Sequence, residues 1–382
     1  MDRTSDQYRD LDVVSEKRVW RLRPLYIGGT GIVAGRIVDW SGSSELTIGR
    51  YEGPNSASRC MSVDDGRVSR RHARLFCTGG KTFIEDLRSR NGTALNGEVL
   101  RPGEPRPVGS GDIIRVGQSF LLIRHEPLTE VDGAVPAVIG WSRAAGQLRR
   151  TILVAASHTK PVLLLGEYGT GKTLVADEIH RRSARGGPLV TVNCETLTVE
   201  AIADLFPRSS QQSTPDSGEG VIDMASAAQQ RRTLLFDEAG SLSPDAQSVL
   251  LNVLVGGDLT SSGERRRRRR DVRIIVASGK HLQKGAAESG FLACLHERIE
   301  ATVVLLPPLR ERREDILLLA QYFAGPSFRP SPRLVSRLLA HSWPRNIPEL
   351  AQVVTRVESG NEEDVYASLT AQMNPMHETL LD

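Results

Sequence analysis

Pro161–Thr173 reads P-V-L-L-L-G-E-Y-G-T-G-K-T, an apolar strand running straight into a glycine-rich loop closed by Lys-Thr. About sixty residues on, Thr233–Glu238 (T-L-L-F-D-E) is a second apolar run, ending in two acids. The spacing fits phosphate chemistry. Gly166, Gly169 and Gly171 leave room for backbone N–H groups to wrap a phosphate chain at a helix N-terminus, with Glu167 and Thr170 completing the loop. Lys172 sets a point charge on the β/γ-phosphates, and the Thr173 hydroxyl ligates Mg²⁺. Asp237 is expected to hold the metal through water and Glu238 to polarise the attacking water. The expected cofactors are ATP and Mg²⁺.

Outward from this pair, apolar strands and helical stretches alternate. Strands are expected at Val162–Leu165, Leu189–Val192, Leu234–Asp237 and Arg273–Ala277, and helices at Lys172–Ser183 and Pro244–Leu254. That alternation predicts a parallel sheet covered on both faces. Nearer the N-terminus, Val19–Glu126 shows short alternating strands broken by Gly, Asn, Asp and Pro, the pattern of an all-β sandwich.

At 382 residues the chain has room for two or three domains. Hydrophobic (39%) and charged (25%) contents are ordinary, and a net charge of +3 makes no global argument for nucleic acid. Cys60, Cys77, Cys194 and Cys294 lack metal-ligand or disulfide spacing. The polar, charged start at Met1–Tyr8 and the lack of a long apolar run predict a cytoplasmic protein with no membrane contact.

Three motifs lie in order within the sandwich: G-R (Gly49–Arg50), V-S-R-R-H-A (Val68–Ala73) and D-L-R-S-R-N-G-T-A-L-N-G (Asp86–Gly97). The set resembles the forkhead-associated (FHA) domain, a phosphothreonine reader. The resemblance implies that Arg50 and Ser69 grip the phosphate and Asn91 holds the peptide backbone. Arg70 and Arg90 stand where they can add positive charge, while His72 and Asn96 are expected to brace the loops. Arginine and hydroxyl donors suit a phosphate dianion because charge-assisted hydrogen bonds are stronger than neutral ones. The implied partner is a phosphothreonine-containing protein, with Thr4 a possible ligand from another copy of the chain.

From Ala137 to Val357 the chain resembles the AAA+ ATPase domain of bacterial sigma-54 activators. The phosphate loop, V-N-C-E-T-L (Val192–Leu197), D-V-R-I-I-V-A-S (Asp271–Ser278), L-P-P-L-R-E-R-R-E-D-I-L-L-L-A (Leu306–Ala320) and W-P-R-N-I-P-E-L (Trp343–Leu350) carry the likeness. It implies that Asn193 partners Glu238 and that Arg298 serves as an arginine finger for a neighbouring subunit. A finger acts in a ring, so a homo-oligomeric hexamer or heptamer follows. The tail from Glu311 onward would form a lid over the adenine. The expected organisation is a tail at 1–18, the FHA domain at 19–126, a linker at 127–136, the ATPase core at 137–323 and a helical lid and tail at 324–382.

Several positions depart from that pattern. The loop that touches sigma-54 in the family is here D-L-F-P-R-S-S-Q-Q-S-T-P-D-S-G-E-G (Asp204–Gly220), with no aromatic residue after Phe206, which argues against sigma-54 contact. Arg265–Arg270 is a run of six arginines, read either as a solvated loop or as a ring-lining attractor of polyanions. Gly279 replaces a nucleotide-sensing Asn, Leu292 a first finger arginine, and Pro348 a lid arginine, while Arg345 replaces a glycine. No helix-turn-helix pattern follows Leu350, so sequence-specific DNA binding is not expected. These residues fit a phosphothreonine-gated ATPase that remodels a protein partner, a hydrolysis-deficient adaptor, or a sigma-54 activator working from solution.

Overall fold

The computed structural model describes residues 18–28, 30–32, 37–41, 45–50, 59–127, 135–205, 231–254, 272–279, 302–360 and 362–371. The chain forms two compact units, one of residues 1–130, 313–342 and 350–382, the other of residues 131–312 and 343–349.

The first unit opens with β1 (Arg18–Ile27), β2 (Gly31–Ile32), β3 (Val38–Trp40), β4 (Leu46–Gly49), β5 (Arg59–Ser62) and β6 (Ala73–Thr78). It continues with β7 (Lys81–Asp86), β8 (Thr93–Leu95), β9 (Glu98–Val99), β10 (Arg106–Pro107), β11 (Ile113–Val116) and β12 (Ser119–Pro127). One sheet runs β2-β1-β12-β11-β8-β9 with β3 also on β1, and the other runs β10-β7-β6-β4-β5. Alternate residues of both face inward: Leu22, Leu46, Ile48, Leu75, Ile84, Ile114 and Leu121 share one buried core. Period-2 burial of this kind pins the register, since a one-residue slip would turn the apolar set to water. β12 pairs antiparallel with β1 from Arg18↔Pro127 to Tyr26↔Phe120, along nearly its whole length.

The second unit holds helix α1 (Arg143–Ala156), β13 (Val162–Leu165), α2 (Lys172–Arg182), β14 (Leu189–Asn193) and α3 (Val199–Asp204). Then follow β15 (Thr233–Asp237), α4 (Pro244–Leu254), β16 (Arg273–Ser278) and β17 (Thr302–Leu305). Its parallel sheet runs β14-β15-β16-β13-β17. Val162, Leu164, Leu235 and Ile275 bury one face against α1 and α2, while Leu163, Leu165, Leu234 and Phe236 bury the other. Strands apolar on both faces are what a covered parallel sheet requires. The Ser142 hydroxyl caps α1 by accepting from the Ala145 N–H at 2.9 Å.

The remaining helices are α5 (Ile316–Ala324), α6 (Pro332–Ala340), α7 (Asn346–Glu358) and α8 (Glu362–Ala371). Within the first unit, residues 313–342 pack onto the sandwich. Arg124 Nη2 meets Glu314 Oε2 at 2.8 Å, with the carboxylate almost fully buried, and the Tyr26 hydroxyl donates to Pro330 O at 3.2 Å. Arg333 and Arg337 lie over the Tyr366 ring at 3.9 and 4.8 Å, joining α6 to α8.

Candidate functional site

Two sites emerge, one in each unit. In the second unit β13 leads into the phosphate loop and α2 begins at Lys172. Gly171 adopts φ 104° as the residue before the helix and offers no side-chain cap to the first N–H groups of α2. The Thr170 hydroxyl donates to Glu167 O at 2.8 Å, closing the turn. Lys172 is buried, and its ammonium donates to Gly166 O at 3.1 Å and Glu167 O at 3.3 Å. It also meets Glu238 Oε1 at 3.2 Å, which brings the loop lysine and the second acid of T-L-L-F-D-E together.

Glu238 adopts a left-handed backbone (φ 52°), turning the chain at the end of β15. Asp237 sits level with Asn193 on the neighbouring strand, and its carbonyl accepts from the Cys194 N–H at 3.0 Å. Asn193 Oδ1 accepts from the Glu195 N–H at 2.9 Å, holding that side chain at the strand tip. Burial pushes the Cys194 thiol up to about 12, helped by the negative charges of Asp237 and Glu238. Thr173 is exposed and Asp237 half-buried, and both offer the hard oxygen donors Mg²⁺ prefers. A Cβ on Gly279 would stand 4.0 Å from Glu238 Oε2, so that position does face the acid. Arg298, Leu292, Arg265–Arg270 and residues 206–220 of the expected sigma-54 loop lie outside the described residues, as does Thr4.

The phosphate loop is clamped from behind. Asn346, fully buried with φ 53°, accepts from the Leu309 N–H at 2.8 Å and donates to Tyr168 O at 2.8 Å. Ile347 N–H donates to Gly169 O at 3.1 Å. The approach is close: a Cβ on Gly169 would lie 2.4 Å from Arg345 O and 2.7 Å from Pro348 Cδ. Arg310 grips Glu167 through both carboxylate oxygens, at 2.7 and 2.5 Å. The sequence motifs did not single out Asn346, Arg310 or the clamping position of Pro348. The one signal was that W-P-R-N-I-P and P-P-L-R lie far from the loop in sequence yet carry polar residues inside apolar stretches.

In the first unit, loops from β4, from the β5–β6 connection and from the β7–β8 connection meet. The Arg50 N–H donates to Ser69 O at 3.0 Å and its guanidinium to Gly66 O at 3.3 Å. Ser69 Oγ accepts from the Arg90 N–H at 3.1 Å, leaving the hydroxyl proton to donate elsewhere. Asn91 Nδ2 donates to Arg67 O at 2.7 Å. Gly49 makes this meeting possible, because a Cβ there would lie 2.0 Å from Arg70 O. Arg50, Arg67, Arg70 and Arg90 are exposed and have no ion-pair partner among the described residues. Arg67 extends the expected set.

His72 braces this rim, as its sequence position suggested. Buried, it accepts from the Ser69 N–H at Nδ1 (3.0 Å), which fixes Nε2 as the donor to Gly92 O at 3.0 Å. Asn96 bridges Asp112 Oδ1 and the Ile113 N–H, both at 2.9 Å. Burial pushes the Asp86 carboxyl up, but hydrogen bonds from Thr93, the Ser89 hydroxyl and the Ser89 N–H outweigh it and hold the group below its ordinary range. An array of unpaired guanidiniums beside a free hydroxyl proton is suited to a phosphate dianion.

Residues 138–305 match the sigma-54 interaction domain family, and residues 46–117 match the FHA domain family. The chain is 36% identical over 263 residues to the nitric oxide reductase transcription regulator NorR1 of Cupriavidus necator, covering 63% of this chain and 50% of that protein. It is 36% identical over 298 residues to the anaerobic nitric oxide reductase transcription regulator NorR of Aeromonas hydrophila, covering 71% and 58%. The chain thus spans about half the length of the curated relatives it matches. Among solved structures, NtrX from Brucella abortus in complex with ATP is 27% identical, with 66% of this chain and 61% of that one covered and a TM-score of 0.47. EmbR of Mycobacterium tuberculosis in complex with a low-affinity phosphopeptide is 27% identical over 29% of this chain and 26% of that one, with a TM-score of 0.24.

Proposed function

Since the chain joins an FHA domain at residues 46–117 to a sigma-54 interaction domain at 138–305, we propose that it is a phosphothreonine-responsive ATPase that remodels a protein of the transcription machinery. The observation that carries this reading is the 3.2 Å approach of Lys172 to Glu238 beside an uncapped helix N-terminus. In this reading Lys172 exchanges its carbonyl partners and Glu238 for the β/γ-phosphates, and the α2 N–H groups hold the remaining phosphate oxygens. Thr173 and Asp237 would hold Mg²⁺, which neutralises charge on the phosphates. Glu238, freed from Lys172, orients water, with Asn193 across the strand boundary as its partner. Arg298 from a neighbouring subunit completes the site in a ring.

The phosphothreonine would dock at Arg50, Ser69 and Asn91, with Arg67, Arg70 and Arg90 adding charge. Whether sigma-54 is the remodelled protein is decided by a pull-down with a transition-state nucleotide analogue. Mg-ATP turnover measured across protein concentration, with Lys172→Ala as the blank, tests the central claim. Turnover that rises steeply with concentration and responds to a phosphothreonine peptide supports it. A second reading, an adaptor that binds nucleotide without hydrolysing it, is favoured by Gly279, which presents no side chain to Glu238. Binding without turnover at every concentration would establish that reading instead.

A further inference from the structure

The second unit has a basic cavity at the edge of its sheet opposite the phosphate loop. The loop leaves the C-terminal end of β13, whereas the cavity lies where β16 begins, beside the C-terminal ends of α1 and α2. Its volume is about 280 Å³, at the small end for ligand pockets. Among the described residues, Arg185, Arg231, Arg273 and His158 line it together with small residues and Thr159, and none of the described lining residues is acidic.

Arg273 is the decisive side chain. It is 1% exposed, inside a strand otherwise made of Ile, Val, Ala and Ser. One guanidinium nitrogen donates to Ala155 O, while Nε and Nη1 are buried with no hydrogen-bond partner among the described residues. Leaving such a charge buried and unmatched costs several kcal/mol, so buried cations are ordinarily paired. Burial, reinforced by Arg185, pushes the Arg273 pKa down to about 10, still well above neutrality, so the charge is retained. Arg185 is fixed nearby through Nε, which donates to Arg231 O at 3.1 Å. His158 meets the Thr302 hydroxyl through Nε2 at 2.9 Å and leaves Nδ1 buried without a partner among the described residues. The carbonyl ends of α1 and α2 oppose an anion by about half a charge each, which three guanidiniums outweigh.

We propose that this cavity binds a small phosphate-class oxyanion, held by Arg185, Arg231 and the buried guanidinium of Arg273. Arginine forks match the oxygens of such a group in pairs. The site is separate from both phosphate sites already described and does not depend on nucleotide binding.

The test uses the full chain carrying Arg50→Ala and Lys172→Ala, which disables those two sites. Inorganic phosphate, pyrophosphate and acetate are titrated at matched ionic strength by calorimetry. The expected result is one site for phosphate or pyrophosphate and none for acetate. Adding Arg231→Ala should weaken it by about tenfold, and Arg273→Met should remove it. If the Arg273→Met protein does not fold, Arg231→Ala and Arg185→Ala, at exposed and half-buried positions, carry the comparison by themselves. No phosphate binding in the background protein, equal binding of acetate, or binding unaffected by the Arg231 and Arg185 variants would overturn the proposal.

Discussion

Replacing Asn346 with alanine should loosen the phosphate loop without removing any atom that would touch phosphate. The side chain is fully buried and serves two backbone groups, the Leu309 N–H and Tyr168 O, both at 2.8 Å. Losing the acceptor strands a buried N–H, at about 1–3 kcal/mol, and the half-buried Tyr168 carbonyl adds about 0.5–1 kcal/mol. Alanine at φ 53° adds about 1 kcal/mol that asparagine largely avoids. The sum is about 2.5–5 kcal/mol, borne by the second unit. Asn346→Gly removes the backbone penalty and should be about 1 kcal/mol milder. The assay is urea unfolding of the full chain, following the transition that nucleotide shifts, with ATP affinity measured alongside. ATP affinity should fall by about tenfold, corresponding to about 1.4 kcal/mol of loop ordering. A loss below about 1 kcal/mol with unchanged ATP affinity would refute the clamp.

Arg50→Ala should weaken phosphothreonine-peptide binding by about 10- to 150-fold, the worth of one hydrogen bond to a charged group at about 1.5–3 kcal/mol, with ATP binding unchanged by titration. Asp86→Asn should destabilise the sandwich in a pH-dependent way. A depressed carboxyl contributes stability above its unfolded pKa and loses it as pH falls through the lower folded value, so the gap between variant and parent should close in acid denaturation series. Gly279→Asn meets only ordinary contact distances and places an amide near Glu238, so turnover should rise while the melting temperature stays within about 1 °C. A fall in turnover would count against Gly279 as the limiting position. With its thiol pushed up to about 12 and buried, Cys194 should resist iodoacetamide at pH 8 while half-buried Cys77 reacts, as read by mass spectrometry.

The sequence carried most of the fold because its signals are local. Val162–Leu165 and Pro244–Leu254 appear with the bounds their periodicity implied, and most other strand ends move by about one residue where pairing extends them. The meeting of Arg50, Ser69 and Asn91 at one loop cluster, and of Lys172 with Glu238, followed from short motifs whose spacing limits the geometry, while their roles are part of the proposed function. What escaped was assembled from distant segments. Asn346 and Arg310 reach the loop across more than a hundred residues, and the basic cavity draws on four separated stretches. Arg273 was a visible oddity in D-V-R-I-I-V-A-S, but only three dimensions show that two of its three guanidinium nitrogens have no partner among the described residues. The packing of residues 313–342 on the sandwich had no signal in the chain's order either.

That packing has a temporal side. The sandwich strands finish at Pro127, whereas the Glu314 carboxylate and Pro330 carbonyl that meet Arg124 and Tyr26 come about 190 to 200 residues later. At translation rates of about 5–20 residues per second, the young sandwich waits roughly 10–40 seconds for its own helices. During that interval Arg124 lacks Glu314 as its counter-charge and the Tyr26 hydroxyl lacks its acceptor. Codon choice and chaperone access across residues 128–312 therefore bear on how cleanly the first unit closes, although none of the described residues in that span contributes a strand to it.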